Sequence, residues 1–120
     1  MNRILVIILL FSVLFGSCNS NDTCDNMTLD HVCVKLINQS GQNIKLLTLT
    51  HEQGQISIDE LANNSQTSLK FNSPGENEYN ILVIFEDGDS LMSPGTYTEG
   101  GYSITELISP DSIQTKYHKY

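Results

Sequence analysis

From Val32 onward, apolar and polar residues alternate in short runs separated by turn-forming residues. A period of two marks a strand with one buried face. The first run places Val32, Val34 and Leu36 inward, with Cys33 and Lys35 outward. Asn38-Gln39-Ser40-Gly41 then turns the chain. Ile44 to Thr50 predicts a second strand, and the adjacent pair Leu46-Leu47 leaves its inward set open. Gln55 to Ile58 predicts a short third strand, followed by one helical turn at Asp59-Glu60-Leu61-Ala62, too short to stand alone. Thr67, Leu69 and Phe71 line a further strand, closed by the turn Asn72-Ser73-Pro74-Gly75.

Glu78 to Phe85 is the most strand-like run. Tyr79, Ile81, Val83 and Phe85 share one face and Leu82 and Ile84 the other, which predicts a central position in its sheet. Asp87-Gly88 is a preferred type I′ hairpin pair, so the chain should reverse there. Pro94 cannot donate to a ladder, so the return strand should be an edge or interrupted, resuming at Thr96-Tyr97-Thr98. Tyr102 to Ile108 and Ser112 to Tyr117 complete the series, the last with Ile113, Thr115 and Tyr117 alternating. Seven to eight short strands without a long helix predict an all-β fold. The expected form is an antiparallel β-sandwich, immunoglobulin-like in the broad sense, with a small antiparallel barrel as the alternative. The buried tryptophan of immunoglobulin domains is missing, since the chain has no Trp.

Before Val32 the pattern changes. Met1-Asn2-Arg3 is a short basic start, and Ile4 to Phe15 is apolar except for Ser12. That is the layout of a secretory signal, and it is short of the roughly 20 residues of a spanning helix. Phe15-Gly16-Ser17-Cys18 resembles the lipobox of bacterial lipoproteins, with small residues before a cysteine. Phe15 stands where that family usually has Leu, and Leu14 lies one step further out. Ordinary signal cleavage prefers small residues at the first and third positions before the cut, which Phe15 does not supply. The resemblance implies that the Cys18 thiol carries a diacylglyceryl group and that cleavage leaves Cys18 as an acylated N-terminus. Residues 1–17 are then a signal peptide, 18–30 a lipid anchor and polar tether, and 31–120 the β-sandwich domain. The implied place is a membrane of the bacterial cell envelope, with the domain outside the cytoplasm.

Three cysteines leave an even pair once Cys18 is acylated, which predicts a Cys24–Cys33 disulfide. A loop of that size stabilises by about 2.7 kcal/mol in the chain-entropy view. All fourteen acidic residues lie after Cys18 against five lysines, a formal charge of −9. Such a surface repels phosphate backbones and argues against nucleic-acid binding.

Candidate chemistry is sparse. His31, His51 and His118 are scattered without zinc-ligand spacing, and His51 is expected to be a solvated loop residue. There is no nucleophile elbow and no phosphate-cradling glycine loop. Neither a metal site nor a cofactor is expected. Glu86, Asp87 and Asp89 cluster at the predicted hairpin tip and form a candidate partner-binding edge. Tyr97, Tyr102, Tyr117 and Tyr120 fall in the last quarter, where tyrosines on a sheet face can form a binding platform, or where Tyr102 and Tyr117 cap the core. These features point to a non-catalytic module that binds a protein or glycan, of inhibitor or immunity type in one version. The alternatives are a structural or accessory subunit of an envelope complex and, more remotely, a hydrolase with an unrecognised acid pair.

Overall fold

The computed structural model describes Cys24 and residues 28–118. Cys18, the signal segment, Lys119 and Tyr120 lie outside the described residues. Among the described residues nine strands follow one another: β1 His31–Asn38, β2 Ile44–His51, β3 Gly54–Leu61, β4 Gln66–Asn72, β5 Glu76–Phe85, β6 Ser90–Met92, β7 Thr96–Glu99, β8 Ser103–Ile108 and β9 Ile113–His118. They form two sheets, one ordered β4-β1-β8-β9 and the other β3-β2-β5-β6, with β7 also pairing β5. The sheets pack as a sandwich, as the alternation predicts. One pairing departs from the antiparallel expectation: β1 and β8 run parallel, with Val34 opposite Ile104.

The core lies between the sheets. Val32, Val34 and Leu36 face it from β1, and Tyr79, Ile81, Val83 and Phe85 from β5, all buried. β5 is central, flanked by β2 on one side and by β6 and β7 on the other. The return strand is broken at Ser93-Pro94-Gly95, where proline has no N–H to give. Ser93 covers the gap. Its backbone N–H donates to the Ile81 carbonyl at 2.9 Å, and its hydroxyl accepts the Ile81 N–H at 2.9 Å. The interruption therefore leaves neither Ile81 backbone group without a partner.

Three local expectations are corrected, and one is met. The segment at Asp59–Leu61 is not helical but the end of β3, with Asp59 opposite Leu46 and Leu61 opposite Ile44. Leu61 is drawn into the core, and Glu60 takes a left-handed φ of 66° to let it turn inward. The Asp87-Gly88 turn is not type I′, because only Gly88 has positive φ, at 94°. Instead Gly88 N–H donates to the Phe85 carbonyl at 3.0 Å and Phe85 N–H to the Asp89 carbonyl at 2.8 Å, a three-residue connection closed by a left-handed glycine. His51 is not a loop residue but the last of β2, half-buried and stacked on Phe71 with ring centroids 4.4 Å apart. Cys33 lies on the outer face of β1 as the alternation predicts, and the expected disulfide to Cys24 forms there and buries it.

One close approach fixes the entry of the chain. Ser73 N–H donates to the Asp30 carbonyl at 2.6 Å, and Gly101 N–H to the His31 carbonyl at 2.7 Å. Residues 29–31 are thus held between the β4–β5 and β7–β8 turns. A Cβ on Gly100 would sit 1.9 Å from the Leu29 carbonyl oxygen and 2.4 Å from that of Ser73. Backbone atoms cannot swing aside as a flexible side chain can. Gly100→Ala should therefore destabilise the fold by about 1–3 kcal/mol. Gly75→Ala, which meets nothing within 4 Å, is the control and should melt close to the parent. Equal melting of the two variants would contradict the packing.

Candidate functional site: a tyrosine groove at one pole

β7 and β9 are outer strands of opposite sheets. They come together on one side of the sandwich, where the Tyr117 hydroxyl donates to the Tyr97 backbone carbonyl at 2.9 Å. Tyr102 sits between them, edge-on to both rings, with centroids 6.4 Å from Tyr97 and 6.1 Å from Tyr117. Edge-to-face contacts of this kind hold aromatic rings in fixed orientation. The three rings, Leu29, the Gly100-Gly101 turn and His118 line a groove of about 670 Å³. Leu29, Tyr97 and Tyr117 are all exposed, at 82%, 46% and 52%, so the groove presents large apolar surface to solvent. Tyr102 packs against the core, as a capping residue would; Tyr117 does not.

One rim is acidic. Glu76 and Glu99 stand directly opposite each other in the β5–β7 register. Like charges in that relation are unfavourable without a mediator. Tyr97 mediates: its hydroxyl lies 3.1 Å from Glu99 Oε1 and 3.4 Å from Glu76 Oε1. Tyr102 donates to the same Glu99 oxygen at 3.1 Å. The Tyr97 phenol is pushed up to about 12, first by partial burial and then by its bond to Glu99 and the neighbouring carboxylate charges. Tyr102 is also raised, chiefly by its hydrogen bond to Glu99. Both phenols therefore remain protonated donors throughout the physiological range. The site offers ring faces, hydroxyls held by hydrogen bonds, two carboxylates and the His118 imidazole.

Beneath the groove lies a buried carboxylate. Glu106 faces the core from β8, between Ile104 and Ile108, and is fully buried. Tyr79 donates to its Oε1 at 2.6 Å, and the Thr115 hydroxyl contacts Oε2 at 2.8 Å and Oε1 at 3.0 Å. Burial pushes the Glu106 carboxyl up, while the bonds from Tyr79 and Thr115 pull it partly back. Tyr117 is raised by its own partial burial and then by the Glu106 charge. Glu106 has no exposed surface, so it braces β8, β5 and β9 under the groove rather than meeting a partner.

The hairpin acids Glu86, Asp87 and Asp89 are exposed at the other end of β5. Asp87 is partly committed to its own turn, accepting the Asp89 N–H at 2.9 Å and lying 3.4 Å from the Gln42 amide. Glu86 borders a smaller pocket of about 180 Å³, which it shares with Asn43, Lys45, Glu60 and Ala62 and which has no aromatic wall. Alternation alone shows that Tyr97 and Glu99 share a face, but the approach of β9 to β7 joins two sheets and has no local sequence signal. No three His, Cys, Asp or Glu side chains gather to hold a metal ion among the described residues.

No family model and no curated protein matches the chain. Solved structures do. The NMR structure of a protein from Eubacterium rectale superposes with a TM-score of 0.56 at 18% identity, covering 76% of this chain and 91% of that one. The crystal structure of a candidate cell adhesion protein from Bacteroides ovatus matches with a TM-score of 0.47 at 10% identity, over 75% of this chain and 43% of that one. The likeness to the Eubacterium rectale protein is one of fold.

Proposed function

We propose that the chain is an envelope lipoprotein, anchored through Cys18, whose β-sandwich is a non-catalytic binding module for a macromolecular partner. The observation that carries the binding reading is the tyrosine groove. Exposed aromatic surface of this size, oriented by ring contacts and flanked by fixed polar groups, is what recognition sites share. Tyrosine offers large contact area at a low entropic cost, which suits it to such surfaces. The anchoring reading rests on the apolar run Ile4 to Phe15 followed by Gly16-Ser17-Cys18. The acids Glu86, Asp87 and Asp89 act at a distance in this reading, adding to the negative field that steers a basic partner.

Each half has its own test. Metabolic labelling with a fatty acid should tag the full chain and not Cys18→Ala; equal labelling would remove the anchor. For binding, a photocrosslinking benzoylphenylalanine is placed at Tyr117 in bacterial cells expressing the full chain, or at Gln55 on the far sheet edge. A discrete adduct is expected from Tyr117 only. No adduct, or the same adduct from both positions, would rule out the groove as the binding surface. Hydrolysis of peptidoglycan by the purified chain would overturn the non-catalytic reading.

A further inference from the structure

Resting on the binding reading above, we infer that the groove takes a lysine or arginine side chain of a basic protein segment, seated against the Tyr97 and Tyr102 rings and paired with Glu76 and Glu99.

Four observations converge on a cation. The groove walls are aromatic, and tyrosine faces attract ammonium and guanidinium groups within about 6 Å of the ring centroid. Glu76 and Glu99 hold their charges opposite each other at the rim, and among the described residues their side chains bond only to Tyr97 and Tyr102. Two adjacent carboxylates with no cation between them are relieved by one that arrives from outside. The Tyr97 and Tyr102 hydroxyls both point at Glu99, so that carboxylate is already oriented before a partner binds. The whole chain is negative, with a formal charge of −8, which draws basic segments and repels acidic ones. A neutral glycan would use the rings but gains nothing from the charges. The occupant is therefore a protein segment of long basic side chains, whose aliphatic stems also cover the apolar wall at Leu29.

The test uses the full chain in neutral dodecyl maltoside micelles. The probe is hexalysine, with fully acetylated hexalysine and the neutral sugar chitohexaose beside it. The readout is the chain's own tyrosine fluorescence, unobscured because there is no Trp. Hexalysine should quench it saturably, and more weakly as salt rises; acetylated hexalysine should not. The joint variant Glu76→Gln, Glu99→Gln should weaken binding about tenfold, the scale of losing two exposed charge pairs. Tyr97→Leu, which keeps both carboxylates, should weaken it about threefold. The decisive comparison is Glu86→Gln, Asp87→Asn, Asp89→Asn, which removes more charge from the opposite pole. It should weaken binding less than the groove pair does. All three variants should melt near the parent, because their side chains are largely outside the core. An equal or greater loss in the hairpin variant would mean unspecific attraction and overturn the inference. Equal binding of acetylated hexalysine, or no saturable binding of hexalysine, would overturn it too. Saturable chitohexaose binding without hexalysine binding would overturn the cation and leave the binding reading standing. The crosslinking result judges that broader reading separately.

Discussion

Ile81→Ala lowers the thermal midpoint by about 10–30 °C, while Lys116→Ala leaves it nearly unchanged. Ile81 is fully buried on the inner face of β5. It stands opposite Leu49 of β2 and is tied by its backbone to Ser93. Truncating a buried isoleucine removes transfer free energy and leaves a cavity, together about 2–5 kcal/mol. For a domain of this size each kcal/mol moves the midpoint by about 4–8 °C. β2 on one side and the Ser93 bridge on the other hold Ile81, so the site can collapse little around the missing atoms. Lys116 is exposed on an outer strand and has no such environment. Differential scanning calorimetry decides the matter. Small and equal shifts would show that β5 does not carry the core.

Glu106 shows the second large effect, and its sign depends on the replacement. In Glu106→Ala the buried Tyr79 hydroxyl is left without its acceptor, at about 1–3 kcal/mol, and the missing side chain leaves a void besides. Glu106→Gln keeps an oxygen for Tyr79 and a group for the Thr115 hydroxyl, and it removes the charge. Because burial raises the Glu106 carboxyl, the unfolded chain loses its proton first as pH rises. Below the ordinary glutamate range both states are protonated and Glu106 adds no pH dependence. Between the ordinary value and the raised one, stability falls with rising pH, and above both the loss is constant. Relative to the parent, Glu106→Gln should therefore be more stable at pH 7 than at about pH 4. Urea melts at the two pH values measure this. A parent advantage that grows towards neutral pH would mean that the ionised carboxylate is favoured in the core.

The placement of Glu106 was already present in the alternation. Ile104, Glu106 and Ile108 share one parity, so a carboxylate on the apolar face of β8 follows from the period of two. The eye passes over it because acids are assumed to be solvated. The strands themselves were legible for the same reason: inward residues such as Val34, Ile81 and Val83 keep phase through whole strands. Phase was lost at Leu46-Leu47, where β2 carries an extra residue against β5 between Ile44 and Leu46. That bulge lets Ile44, Leu47 and Leu49 all point inward, and the leucine doublet is its trace in the sequence. At Asp59-Glu60-Leu61-Ala62 helix-compatible residues concealed a strand, because pairing with β2 and burial of Leu61 outweigh a local preference. The groove was legible only in part. The tyrosines stood out, but their convergence depends on which outer strands meet, and the long-range packing of two sheets decides that.

The Cys24–Cys33 bond also determines how the molecule bears load. In the proposed lipoprotein, five residues lie between the acyl cysteine and the bonded Cys24, so six Cα-to-Cα steps span at most about 21 Å when fully drawn out. Tension on the anchor crosses the bond and enters β1 at Cys33, between the buried Val32 and Val34. There β1 is flanked by β4 on one side and β8 on the other. A pull along β1 loads both ladders in shear, so many hydrogen bonds must yield together instead of opening one by one. The bond thus makes the anchor a short mooring line, fastened to an interior strand at the same pole as the groove.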